Sequence, residues 1–159
     1  MIDSSLFAGD GRYIITLYSV DQAGNINQNI DENKKAEVSF GVDKTAPVVI
    51  PIDIESDAQY LVDVKSATVA VNDNLILDNV EIFVGAKKCE YQVNGENYTF
   101  WIPESDKRQN ITIVATDLAG NSTNVLISDV LVTSNYFISW INNTPLFVST
   151  VAGGTTIVG

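Results

Sequence analysis

The sequence predicts an all-β fold in which short strands pack as a sandwich of two sheets. Between residues 48 and 132, apolar residues alternate with polar ones, and Val, Ile, Thr and aromatic residues are abundant in these stretches. Turn-forming residues interrupt the alternation at intervals of about 8–12 residues, and no stretch has helical periodicity. About seven short strands with this spacing are typical of an immunoglobulin-like β-sandwich, although another sandwich or a barrel has a similar pattern.

The alternation predicts where each strand lies and which residues form the core. Asn94-Gly95 is the clearest hairpin signal, because both positions of its turn need a positive φ. The predicted strands are 48–54, 67–71, 80–84, 88–93, 98–102, 110–116 and 125–132. The residues predicted to face inward are Val69, Val71, Val80, Ile82, Val84, Tyr98, Phe100, Ile111, Ile113 and Ala115.

An internal repeat predicts the domain organisation. The segment IITLYSVDQAGN ends at Asn25 and ITIVATDLAGN ends at Asn121, so equivalent positions lie 96 residues apart. This spacing fits a whole sandwich domain of about 100 residues. Only 20 residues precede Asp21 of the first copy, so we expect residues 1–42 to be the C-terminal strands of a truncated similar domain. Residues 43–132 then form the complete domain, and 133–159 follow it.

The first copy contains a second recognisable feature. Tyr13 follows Asp10 and Gly11 where a sandwich would enter its sixth strand, which predicts a tyrosine corner. In such a corner the phenol hydroxyl donates to a nearby backbone carbonyl. We also expect residues 13–20 to pair with residues 36–42 as a hairpin.

Composition excludes several classes of function. The net charge of −11 repels phosphate backbones, which argues against nucleic-acid binding. The sequence has no histidine, so histidine-based catalytic triads and most zinc sites are excluded. Cys89 is the only cysteine and cannot form a disulfide within the chain. No spacing of carboxylates with Ser or Cys indicates a nucleophile and its base, and we predict a protein that is not an enzyme.

Four segments follow one another along the chain: VDKTAPVV, VNDNLILDNVEIFVGAK, VNGENYTFWIP and ITIVATDLAGN. Together they resemble the bacterial immunoglobulin-like domains that are repeated in Gram-positive cell-surface proteins. In that family the Asp-Lys-Thr-Ala-Pro segment joins consecutive repeats, and the turn Asp-x-Ala-Gly-Asn closes the last hairpin. The resemblance implies a surface stalk or adhesion role without catalysis.

Acidic residues are predicted to gather at one pole of such a sandwich. The loops after the second and sixth strands share this pole with the incoming linker, and the preceding domain would face the same junction. Short oxygen-bearing side chains in loops are the ligands that Ca²⁺ requires. We therefore predict a calcium site from Asp10, Asp43, Asp73, Asp78 and Asp117. The alternative is ordinary turn chemistry, in which Asp caps the turn and Gly takes a positive φ.

Trp101 is a candidate binding residue. Strict alternation puts it on the face opposite to Tyr98 and Phe100, where its indole could contact a sugar or a partner protein. The alternative is that it covers a neighbouring strand.

The segment 133–159 differs in composition from the rest of the chain. It has no charged residue, and aromatic residues are concentrated between 136 and 140. This pattern predicts a juxtamembrane segment followed by the start of a truncated membrane span, and the alternative is a disordered or packed tail.

These observations together predict a non-enzymatic stalk or spacer close to a membrane. Its expected location is the extracellular surface of a Gram-positive bacterium, with membrane anchorage through the C-terminal segment and neighbouring repeats as partners. Two alternatives remain: a module that binds host or cell-wall glycan or protein, and an accessory domain of an extracellular enzyme.

Overall fold

The computed structural model describes residues 3–16, 19–27, 37–134, 136–141, 144–151 and 154–158. Within these residues there is no α-helix, and a 3₁₀ turn at Ser4–Phe7 precedes the first strand. The strands are β1 Gly11–Thr16, β2 Ser19–Val20, β3 Ile26–Asn27, β4 Glu37–Val42, β5 Val48–Pro51, β6 Gln59–Tyr60, β7 Val64–Asn72, β8 Leu77–Val84, β9 Lys87–Lys88, β10 Tyr91–Asn94, β11 Asn97–Pro103, β12 Gln109–Asp117, β13 Ser122–Val132, β14 Tyr136–Ile141, β15 Thr144–Val151 and β16 Gly154–Val158.

Strands β5 to β13 form two sheets that pack against each other, so the predicted all-β sandwich is confirmed. The four-stranded sheet has the order β10-β11-β7-β5, and the five-stranded sheet has the order β6-β13-β12-β8-β9. Neighbouring strands are antiparallel except β13 and β6, which are parallel. Strand β12 lies at the centre of its sheet and pairs with β8 on one side and β13 on the other.

The core lies between the two sheets and follows the predicted alternation. Every residue predicted to face inward is buried except Tyr98, which is half-buried and packs its ring against Tyr91 at 5.2 Å. Each fully buried Val or Ile side chain contributes about 1.5–3 kcal/mol from burial. The core also contains residues that were not predicted, namely Ile54, Ala67, Ile102, Ile127, Val130 and Val132.

One predicted strand, 88–93, is in fact two strands in different sheets. Gly85 adopts φ +59° and allows β9 to fold back onto β8, which keeps β9 in the five-stranded sheet. The chain then crosses to the other sheet, where β10 pairs with β11 as the predicted hairpin. Its turn is shifted by one residue, because Asn94 pairs with Asn97 and leaves Gly95 and Glu96 in the turn. Gly95 has φ +62°, whereas Asn94 does not adopt the positive φ that was predicted for it.

The predicted pairing of residues 13–20 with 36–42 is correct for β1, which runs antiparallel to β4. It is wrong for β2, which pairs with β3 across the turn 21–25 instead, because that turn folds the chain back locally. Phe7, Tyr13 and Phe40 pack their rings together, with centroids 5.1–5.7 Å apart. The Tyr13 hydroxyl donates to the Gly9 carbonyl at 2.7 Å, which is the predicted tyrosine-corner bond.

The described part of the C-terminal segment forms an antiparallel sheet in the order β14-β15-β16. A search of the described residues found no helix with the length and apolar character needed to cross a membrane. The expectation of a juxtamembrane segment there stays a prediction.

Truncating a side chain in the centre of β12 should destabilise the sandwich strongly. Ile113 has no exposed surface, so Ile113→Ala should lower the free energy of unfolding by about 2–5 kcal/mol. Leu126 on the paired strand β13 is 57% exposed, and Leu126→Ala should change stability by no more than about 0.5 kcal/mol. Urea titration of both variants measures this difference, and equal effects would contradict the assigned core.

Candidate functional site: the acidic junction

The linker 43–47 connects β4 to β5 and is bonded to the sandwich at both ends. The Asn121 side-chain amide donates to the Asp43 carbonyl at 3.2 Å. The Thr123 hydroxyl donates to the carbonyl of Pro47, and Pro47 is buried. The linker therefore lies against the turn that joins β12 to β13.

Asp10 fastens the N-terminal strands to this linker. Its Oδ1 accepts from the Lys44 amide at 2.8 Å, and its Oδ2 accepts from the Thr45 hydroxyl. The same Oδ2 accepts from the side chain of Asn74 at 3.2 Å, in the loop between β7 and β8. The Lys44 ammonium donates back to the Ala8 carbonyl at 2.8 Å. The loop before β1, the linker and the sandwich are thus joined by hydrogen bonds.

The turn at 117–121 follows the chemistry predicted for Asp-x-Ala-Gly-Asn. Asp117 Oδ1 accepts from the Asn121 amide at 2.8 Å, and Oδ2 accepts from the Asn121 side chain at 2.7 Å. Gly120 adopts φ +93°. Burial raises the pKa of Asp117, but the hydrogen bonds from Asn121 and the neighbouring amides outweigh it, so the pKa lies below the ordinary value of 3.8.

The first copy of the motif folds in the same way. Asp21 Oδ1 accepts from the Asn25 amide at 2.8 Å, Oδ2 accepts from the Asn25 side chain at 2.6 Å, and Gly24 has φ +84°. The surroundings differ, because Asp21 is exposed whereas Asp117 is only 1% exposed. The motif alone therefore specifies the turn. The burial of Asp117 comes from its surroundings, namely the linker 43–47 and the loop between β7 and β8.

Three of the predicted carboxylates meet at this junction. Asp43 comes from the linker, Asp73 from the loop between β7 and β8, and Asp117 from the end of β12. One oxygen of each lies within 4.8 Å of an oxygen of the other two. Asp43 and Asp73 are half-buried, and Asp117 is buried.

The hydrogen bonds of these carboxylates leave acceptor capacity unused. Asp43 Oδ1 accepts from the Thr45 amide at 3.1 Å, and Asp73 Oδ2 accepts from the Leu75 amide at 3.0 Å. Asp73 Oδ1 is enclosed and has no hydrogen-bond partner among the described residues. No Lys or Arg in the described part of the chain forms an ion pair with the three carboxylates. A buried acceptor without a donor is costly, and a cation bound by the Asp73 carboxylate would satisfy it.

The other two predicted ligands lie outside this group. Asp10 does lie at the junction, but both of its oxygens accept hydrogen bonds from the linker and from Asn74. Strand β8 begins at Leu77, so Asp78 is its second residue. The Asp78 side chain is exposed. The prediction placed Asp78 in the loop, whereas the structure places it within the strand.

An apolar surface borders the acidic group. Leu75, Ile76 and Leu118 are exposed side chains that line a groove of about 250 Å³ together with Asp43. The Leu118 amide donates to the Ile76 carbonyl at 3.0 Å, which holds this edge of the groove together. Apolar neighbours limit water access and strengthen electrostatic interactions within the group.

Comparison with known proteins assigned no family. No protein-family model matches the chain, and the search of curated proteins found no match.

Removing the Asp10 carboxylate should release the N-terminal strands from the sandwich. In Asp10→Ala the Lys44 amide, the Thr45 hydroxyl and the Asn74 amide lose their acceptor. Backbone hydrogen exchange in β1 and β4 should then accelerate about severalfold, because the bonds that hold the start of β1 to the linker and to Asn74 are lost. Asp63→Ala is the matched control, since this exposed carboxylate has no hydrogen bond among the described residues. Equal exchange in the two variants would show that Asp10 does not hold the strands.

The same contact should depend on pH. The hydrogen bond from Thr45 lowers the pKa of Asp10 below 3.8, with further contributions from Lys44 and Asn74. Because the folded-state pKa is lowered, this stabilisation is complete above about pH 3.8 and is lost as pH falls through the folded-state value. The NMR shift of the Lys44 amide should titrate with a midpoint below 3.8, and Asp10→Asn should abolish this titration. A midpoint above 3.8 would contradict the assigned bonds.

Proposed function

We propose that this protein is a non-enzymatic structural spacer whose junction is stiffened by a Ca²⁺ ion bound between Asp43, Asp73 and Asp117. Two observations carry the proposal: these three carboxylates converge, and one of them, Asp73, has an enclosed Oδ1 with no hydrogen-bond partner among the described residues. The absence of histidine and the single cysteine support a role without catalysis.

The path of the chain through the sandwich supports the spacer role. The chain enters beside the start of β13, where Thr123 bonds to Pro47, and leaves at the other end of the same strand, at Val132. Strand β13 has 11 residues, so the entry and exit points lie about 35 Å apart. A domain that is entered and left at opposite poles extends a chain of domains along its length.

The chemistry of the junction supports calcium as the bound ion. Ca²⁺ takes six to eight oxygen ligands at about 2.3–2.6 Å, so two oxygens on the same ion lie at most about 5 Å apart. The limit of 4.8 Å between the three carboxylates satisfies this condition. The three acids come from the linker, a loop and the end of a strand, and an ion that binds all three would resist their separation.

The wider setting of the proposal depends on the sequence resemblance to bacterial immunoglobulin-like repeats. The order of the sheets adds support, because β10-β11-β7-β5 opposite β13-β12-β8 corresponds to the two sheets of an immunoglobulin-like sandwich. In this setting the protein is a stalk or adhesion module on the surface of a Gram-positive bacterium, anchored to the membrane beyond residue 133. Its partners are neighbouring repeats of the same kind.

Thermal unfolding with and without Ca²⁺ tests the metal site. The 159-residue chain in 1 mM CaCl₂ should melt several degrees higher than in EDTA, because a site with Kd of about 10 µM adds about 2.7 kcal/mol at a hundredfold excess. Hydrogen exchange in β1 and β4 should slow in Ca²⁺ if the ion stiffens the junction.

Two variants distinguish Ca²⁺ binding at this site from non-specific binding of Ca²⁺ to the acidic surface. Asp73→Asn keeps the size of the side chain but removes its charge, and it should abolish the Ca²⁺-dependent shift in Tm. Asp78→Asn is the matched control, because Asp78 is acidic, close in sequence and outside the group. An equal Tm in Ca²⁺ and EDTA, or a shift that Asp73→Asn retains, would refute the proposal.

A further inference from the structure

A cleft opens at the side of the sandwich, near the pole opposite the acidic junction. It lies between the edge of the five-stranded sheet at β9 and strand β11 of the other sheet. Its volume is about 500 Å³, within the range of about 300–1,000 Å³ usual for small-molecule sites. The residues that line it are Val84, Lys87, Lys88, Cys89, Glu90, Trp101, Pro103 and Gln109.

The cleft exists because β10 covers only part of β11. Pairing between these strands runs from Asn94 opposite Asn97 to Tyr91 opposite Phe100, and it stops there. Among the described residues, no strand pairs with this side of β11 at 101–103. The indole of Trp101 is 42% exposed and lines the cleft, whereas its neighbours Phe100 and Ile102 are buried in the core.

Gln109 is a polar residue at an inward-facing position of β12, where an apolar residue would also fit. It begins β12 and shares the inward face with Ile111 and Ile113, which have no exposed surface. Its Nε2 is enclosed and has no hydrogen-bond partner among the described residues. An unsatisfied enclosed donor is unfavourable, and rotation of the amide toward the cleft would give it an acceptor on a bound molecule.

The charge of the cleft is close to balanced. Lys88 bonds to Glu81 at 2.8 Å, and that pair is neutral. The side-chain ammonium of Lys87 forms no hydrogen bond or ion pair with the described residues and can donate into the cleft, while Glu90 supplies one negative charge. With a net charge of −11 on the whole chain, a neutral ligand that offers acceptor oxygens fits better than an anionic one.

We propose that this cleft binds a neutral saccharide. One face of a sugar ring with equatorial hydroxyls presents C–H groups and stacks on the exposed indole of Trp101. The hydroxyl or N-acetyl oxygens at the ring edge accept hydrogen bonds from Gln109 Nε2 and Lys87. The cleft and the acidic junction lie near opposite ends of β12, about 25 Å apart, so saccharide binding does not depend on Ca²⁺.

Titration of the 159-residue chain with cellotetraose and chitotetraose tests the proposal. Isothermal calorimetry should detect binding of at least one of them, unchanged by EDTA. Trp101→Ala should weaken it by about tenfold or more, and Trp101→Phe should restore part of the affinity. Leu126→Ala is the matched control, since it removes an exposed apolar side chain from another sheet and should leave binding unchanged.

Two further measurements distinguish a binding site from a structural role. Gln109→Ala should weaken binding and leave Tm unchanged or raised, because it removes an unsatisfied donor; a structural Gln109 would lower Tm instead. Cys89 is the only cysteine and lines the cleft, so the bound saccharide should slow its alkylation by iodoacetamide. The proposal fails if neither saccharide binds, if Trp101→Ala binds like the wild type, or if only a peptide ligand binds in the cleft.

Discussion

The alternating burial along β12 is the constraint on which the rest of the molecule depends. Ile111, Ile113 and Ala115 all face inward with no exposed surface, and the strand pairs on both sides with β8 and β13. This fixes the register of the five-stranded sheet, because a shift of one residue would turn these side chains out to solvent. The two ends of the strand then hold Gln109 at the cleft and Asp117 at the acidic junction.

The two copies of Asp-x-Ala-Gly-Asn separate local turn chemistry from the contribution of the surroundings. Asp21 and Asp117 accept the same hydrogen bonds, so the turn needs no neighbours to form. Only Asp117 is buried beside other carboxylates, because the linker and the loop after β7 cover it. Turn capping and metal binding are therefore compatible, since each carboxylate oxygen has two lone pairs and a hydrogen bond uses one of them.

The two poles of the sandwich carry different kinds of side chain. The entry pole collects carboxylates around a short linker, which favours a cation and a fixed angle between neighbouring units. The side near the exit pole has a cleft with the exposed Trp101 and with Gln109 Nε2, a donor that has no partner among the described residues, and this combination favours a neutral ligand. The proposed spacer would join its neighbours at one end and keep the proposed saccharide cleft clear of that junction.

The sequence by itself determined the all-β class, the Asn94-Gly95 hairpin, the tyrosine corner and most of the core, because each depends on short-range periodicity or on one turn. It also placed Asp43, Asp73 and Asp117 at one pole. The tertiary structure alone decided that β9 and β10 belong to different sheets and that Asp78 lies within a strand. It also decided which oxygen of Asp73 has no partner and where β10 stops covering β11. These features depend on the packing of residues far apart in the chain, and residue type and spacing carry no signal for them.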